Sequence, residues 1–100
     1  MSAYIVIHNV VTDRPQMEQY IPHAIETLTA HGADILVVAE DATVLEGNPP
    51  FPRTVILKFS SREAAKAWYE SPEYRKGLPL RLQATRGYAV LVDGLDATAT

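Results

Sequence analysis

Residues 59–82 read Phe-Ser-Ser-Arg-Glu-Ala-Ala-Lys-Ala-Trp-Tyr-Glu-Ser-Pro-Glu-Tyr-Arg-Lys-Gly-Leu-Pro-Leu-Arg-Leu. A β-type run ends at Phe59, and Ser60 followed by Glu63 forms a capping box that starts a helix. Ala64, Ala65, Trp68 and Tyr69 then recur at helical spacing, so two small residues and two large aromatics share one face that can approach a sheet closely. Ser71-Pro72-Glu73 restarts a helix, with serine as the cap and proline in the first turn. Gly77 and Pro79 make its continuation irregular. The stretch holds the only tryptophan, two of the five tyrosines and, after Arg62, four of the nine basic residues, and it reads as the wall of a small-molecule pocket.

Working outward, residues 53–59 alternate Val55, Leu57 and Phe59 against Thr54, Ile56 and Lys58, the period of a strand. Before them, Leu45-Glu46-Gly47-Asn48-Pro49-Pro50-Phe51-Pro52 contains too much proline for regular structure and is a surface loop. Residues 33–40 form another strand. Residues 3–10 form a strand with Tyr4, Val6, His8 and Val10 on one face and Ala3, Ile5, Ile7 and Asn9 on the other; both faces are largely apolar, as for a strand covered on both sides. Asp13, with Gln16 three residues on, caps a helix from about 14 to 31 whose stripe is Met17, Tyr20, Ile21, Ala24, Ile25 and Leu28. Pro22 predicts a kink or a later start, and His31-Gly32 reads as the helix end. A last strand covers Tyr88 to Val92.

The order is β-α-β-β-α-β, a ferredoxin-like α+β sandwich with a four-stranded antiparallel sheet in the order 4-1-3-2 and both helices on one face. Residues 1–95 make one domain, and 96–100 are expected to be a disordered tail. Two layers leave the second sheet face uncovered, so a homodimer with paired sheets is expected.

Composition narrows the function. With no cysteine, disulfide frameworks, thiolate nucleophiles and Cys-ligated zinc are excluded. A net charge of -3 argues against a nucleic-acid partner. No apolar run reaches the ~20 residues of a membrane span, and the start of the chain lacks a basic n-region, so a cytoplasmic protein without a membrane partner is expected. Arg75, Lys76, Arg81 and Arg86 lie in twelve residues without an acid, either a solvated face or an anion-attracting rim. His8, His23 and His31 lack short-range ligand spacing, so no metal site is expected, and there is no glycine-rich phosphate loop or nucleophile elbow.

At Leu45-Glu46-Gly47, Phe59-Ser60-Ser61, Ala67-Trp68-Tyr69, Ser71-Pro72-Glu73-Tyr74 and Leu78-Pro79-Leu80-Arg81 the chain resembles the family called domain of unknown function 1330 (DUF1330) over nearly its whole length. The resemblance implies a dimeric α+β barrel, a superfamily that includes cofactor-independent monooxygenases of antibiotic synthesis, muconolactone isomerase-like proteins and heme-degrading enzymes. It implies no particular reaction and no catalytic residues. Ala33, where the family usually has a second glycine, and the acidic rather than basic second strand at Leu36–Asp41 depart from the family pattern at that strand's edge.

Site residues are therefore argued from chemistry. Imidazoles titrate near neutral pH, so His8 is a candidate general base, against a plainer role at the dimer interface. Glu46, set against Phe51, is a candidate carboxylate base, against a role in holding the loop. Trp68, Tyr69 and Tyr74 are either core aromatics or a platform for a flat substrate with phenolic donors at its rim. Arg81 and Arg53 can clamp a carboxylate, or form ordinary salt bridges to Glu73 or Glu46. The expected function is a cofactor-independent isomerase- or monooxygenase-like enzyme acting on a small organic acid or carbonyl compound. The alternatives are a non-catalytic metabolite-binding module and a structural subunit.

Overall fold

Strict alternation in two strands sets the architecture. In β1 (Ala3–Val11) the buried residues are Ala3, Ile5, Ile7 and Asn9, and in β3 (Arg53–Phe59) they are Arg53, Val55, Leu57 and Phe59. The two strands pair antiparallel with Ile5 opposite Leu57 and Asn9 opposite Arg53, so these side chains form one surface. The helices α1 (Arg14–Ala30), α2 (Arg62–Glu70), α3 (Pro72–Arg75) and α4 (Leu78–Ala84) cover that surface; β2 (Asp34–Ala39) and β4 (Thr85–Asp93) complete the sheet in the order β2-β3-β1-β4. The computed structural model describes residues 1–95, and the expected tail at 96–100 lies outside them. The antiparallel ferredoxin-like α+β arrangement is the one the element order implies.

Local chemistry explains the boundaries and corrects several of them. Asp13 Oδ1 accepts from the Gln16 backbone N–H at 3.1 Å, but the Gln16 side chain crosses to the Leu80 carbonyl and Gln83 instead of closing a capping box. α1 runs unbroken through Pro22, which lies on the exposed side, where water can replace the donor that proline lacks. His31 caps the helix and Gly32 follows at φ +71°, the left-handed conformation of a glycine stop. The cap of α2 is Ser61 rather than Ser60: its Oγ accepts from Ala64 N–H at 3.0 Å. Ser71 caps α3 in the same way.

β4 begins at Thr85, three residues before the expected start, directly where α4 ends. Gly87, one residue before the expected start, lies within the strand opposite Asn9 at φ +153°, and a Cβ there would strike the His8 carbonyl and Asn9 Cα. A glycine in a strand interior marks such a close backbone approach.

In β2 a bulge falls between Ile35 and Val37, so Ile35 meets Leu57 and Val38 meets Val55, both on the helix side. The opposite sheet face carries Tyr4, Val6, His8, Ile56, Tyr88, Val90 and Val92; Tyr88, Val90 and Val92 are 44–49% exposed. Among the described residues no helix is long and apolar enough to cross a membrane.

Gly87→Ala is expected to lower stability by about 1–3 kcal/mol through backbone strain, with the clash against β1 added. Urea unfolding of the two proteins measures it, and equal midpoints would show that the β1–β4 spacing is slack.

Candidate functional site

The aromatic residues of α2 and α3 organise the interior. Trp68 and Tyr74 are each 1% exposed, and their rings stack 4.0 Å apart between centroids. Trp68 Nε1–H donates to Thr27 Oγ1 on α1 at 3.0 Å, and the Tyr74 and Tyr20 hydroxyls lie 2.7 Å apart. These groups therefore satisfy each other, as buried polar atoms must. Trp68 and Tyr74 act as core rather than as a substrate platform, while Tyr69 is half-buried with the Arg75 guanidinium 5.2 Å above its ring.

A cavity of about 120 Å³ opens between α1 and the sheet. Its apolar wall includes Ile7, Leu28, Ile35, Val38 and Leu57, and its polar groups are Asn9, Tyr20, Arg53 and Arg81. Strand register brings the polar groups together. Asn9 and Arg53 are opposite each other near the end of β1, and the turn from β1 into α1 donates from Thr12 N–H to the Ala84 carbonyl, which brings α4 and its Arg81 to the same end. Both arginines are buried, at 7% and 6% exposure. Arg53 Nη1 donates to Asn9 Oδ1 at 3.4 Å, and Glu40 Oε2 stands 3.6 Å from Arg53 Nε, so the partner is Glu40 and not Glu46. Arg81 has no carboxylate within ion-pair distance among the described residues; burial works against its charge, and the Tyr74 and Tyr20 phenols outweigh this and hold its pKa above the usual range. Burial, reinforced by Tyr74, pushes the Tyr20 phenol far above the usual tyrosine range, so Tyr20 is a proton-bearing donor.

A second cavity, of about 280 Å³, lies under α2 against β1 and β4, lined by Ile5, Ala65, Tyr69, Glu70 and Leu91 among others. It is larger, but none of its side chains carries a buried polar atom lacking a partner. The first cavity combines an apolar wall with buried donors that lack a partner.

The predicted site residues thus separate. Arg53 and Arg81 share the first cavity and Tyr69 lines the second. His8 lies on the other sheet face, with Nδ1 3.3 Å from Thr54 Oγ1 and its ring edge-on to Tyr88 at 5.6 Å. Glu46 is exposed in the loop and is not buried against Phe51 within the subunit. Phe51 instead meets Tyr88 edge-to-face at 6.0 Å. Asn9, Tyr20 and Glu40 belong to the cavity or its rim and were not singled out in the sequence; the available signal was Asn9, a polar residue in an otherwise apolar alternation. No group of three or more His, Asp or Glu able to hold a metal occurs among the described residues.

The family model described as Domain of unknown function (DUF1330) matches residues 2–95. The chain belongs to this family. No functionally curated protein matches it. Among solved structures it is similar to the RPA0582 protein of unknown function from Rhodopseudomonas palustris, at 13% identity and TM-score 0.78 over 95% of this chain and 83% of that one. It is also similar to a dimeric ferredoxin-like protein of unknown function from Jannaschia sp. CCS1, at 13% identity and TM-score 0.68 over 96% and 100%. SnoaB, a cofactor-independent oxygenase from Streptomyces nogalater, matches at 9% identity and TM-score 0.65 over 96% and 95%. At these identities the likeness is one of fold.

Because Tyr20 ionises near pH 10 in the unfolded chain and far above it when folded, its contribution to stability is complete below pH 10 and is lost as the pH rises beyond it. Thermal melts between pH 9 and 11 are expected to fall more steeply for the native protein than for Tyr20→Phe. Parallel profiles would show that Tyr20 is not desolvated.

Proposed function

We propose that this DUF1330 protein binds a small, partly apolar organic acid or carbonyl compound in the cavity between α1 and the sheet, as a homodimer joined through the open sheet faces. The observation that carries the reading is the cavity's composition: an apolar wall with a few convergent polar groups, two of them buried arginines. In this reading Arg81 and Arg53 hold the polar end of the ligand. The dimer is supported by the uncovered apolar sheet face and by the dimeric ferredoxin-like proteins of similar fold.

Catalysis is a further step of the proposal. Its support is that a cofactor-independent oxygenase shares the fold. Under it, Tyr20, which keeps its proton, lies beside the reacting end of the ligand as a neutral hydroxyl. His8 and Glu46 take part only from the other face, where His8, Tyr88 and Phe51 form a continuous edge-to-face series leading into the loop that carries Glu46. A binding module without turnover is the alternative, and long incubation of the identified ligand with the protein separates the two.

Native mass spectrometry of gently purified protein is expected to show a dimer carrying a small adduct. Ile25 is 47% exposed and lines the cavity, so Ile25→Trp narrows the entrance without entering the core and is expected to abolish the adduct. The His8→Gln, Glu46→Gln double variant is expected to retain it. An adduct that survives Ile25→Trp, or a monomer, counts against the reading.

A further inference from the structure

The geometry points to a ligand of one kind: a small monocarboxylate, with Arg81 and Asn9 as its anchors and Glu40 as the residue that limits it to a single negative charge. This inference rests on the binding reading above and narrows it from an acid or carbonyl compound to a singly charged acid.

A census of unpartnered atoms carries the first step. Among the described residues four buried side-chain polar atoms lack a hydrogen-bond partner: Asn9 Nδ2, His23 Nε2, Arg53 Nε and Arg81 Nε. His23 packs against Gly77, away from the cavity, but the other three belong to residues that line it. All three are donors, and since Arg53 Nε already faces Glu40 Oε2 at 3.6 Å, Asn9 Nδ2 and Arg81 Nε are the two left open to a ligand. The Asn9 assignment is fixed by its neighbour, because Oδ1 accepts from Arg53 Nη1 and so leaves the amide N–H₂ free. The Tyr20 hydroxyl, which also lines the cavity, is engaged with the Tyr74 hydroxyl at 2.7 Å and adds no free donor. Buried donors without acceptors are costly, and a carboxylate, with about four lone-pair positions, matches this set better than a carbonyl does. Bonds to an ionised acceptor are also about twice as strong as neutral ones.

The charge count carries the second step. The cavity has two guanidinium groups, and Glu40 stands 3.6 Å from one of them while also meeting Arg14 Nη1 at 3.4 Å. Glu40, shared with the exposed Arg14, is the counter-charge beside Arg53, and Arg81 is the buried cation that has no carboxylate within ion-pair distance among the described residues. A ligand bearing one negative charge balances it. A dianion would have to displace Glu40 or place its second charge beside that carboxylate, which disfavours it by like-charge repulsion. Size sets the remaining limit. A cavity of roughly 150 Å³ holds benzene, so a cavity of about 120 Å³ suits an acid with a short hydrocarbon body.

The test uses three probes of similar length, butanoate, butanamide and succinate, titrated while the methyl resonances of Ile25, Ile35 and Val38 are followed. Butanoate is expected to bind at least about tenfold more tightly than either of the others, since one charge-assisted bond accounts for that much. Glu40 is exposed, so Glu40→Gln keeps the fold and is expected to raise affinity for succinate relative to butanoate about tenfold. Arg81→Lys is expected to weaken butanoate binding without raising that for succinate. Equal affinity for butanoate and butanamide would overturn the acid inference and leave the pocket standing. No methyl shift with any probe would overturn both, and an unchanged succinate-to-butanoate ratio in Glu40→Gln would remove Glu40 from its assigned role.

Discussion

The pair of buried hydrogen bonds from Trp68 to Thr27 and between Tyr74 and Tyr20 ties the helical layer together. Each joins α1 to a different helix across a ring stack with a 4.0 Å centroid separation, and each satisfies a polar atom that water cannot reach. Burial brings the rings together, but the hydrogen bonds determine which rotamer of each is retained. Tyr20 is shared between this network and the cavity. The packing that stabilises the helices therefore also holds the donor-rich end of the cavity in place.

Buried arginines require a reason, since a guanidinium taken from water without a partner is strongly unfavourable. In this fold the reason is positional. Arg53 occupies the inward register of β3 beside Asn9, and Arg81 lies on the inner side of α4, which docks on α1. Neither can turn to solvent without reversing the strand or the helix that bears it. Burial of charge here follows from secondary-structure periodicity, and the Asn9 amide and the two phenols supply part of what water would have given.

The fold was legible in the sequence because its signals are periodic. The alternation of β1 and β3 and the stripe of α1 each extend over several repeats, and the resulting strand order follows from chain order. Boundaries were less legible: Ser60 and Ser61 are equally good caps by composition, and only backbone geometry selects Ser61. Pro22 reads as an interruption, and the last strand is read as starting after Gly87, because local propensity does not register that Pro22 faces water and that the Gly87 backbone lies against β1. Of the site, Arg53 and Arg81 could be chosen by type, but their convergence is a tertiary fact joining positions 28 residues apart. Trp68 and Tyr74 were ambiguous for the same reason: their partners Thr27 and Tyr20 are 41 and 54 residues away. The β2 bulge that places both Ile35 and Val38 on the cavity side has no sequence mark.

The alternation of β1 and β3 also divides the molecule's future changes into two independent sets. Odd-numbered positions such as Asn9, Arg53 and Val55 answer to the cavity, and even-numbered positions such as His8, Thr54 and Ile56 answer to the opposite face. A substitution in one set leaves the other nearly untouched, so the cavity lining can change while the sheet surface is retained. An insertion or deletion of one residue has the opposite effect: it exchanges the sets and carries the Arg53 guanidinium onto the apolar face. Chain length within these two strands is therefore under tighter constraint than the identity of any one residue in them.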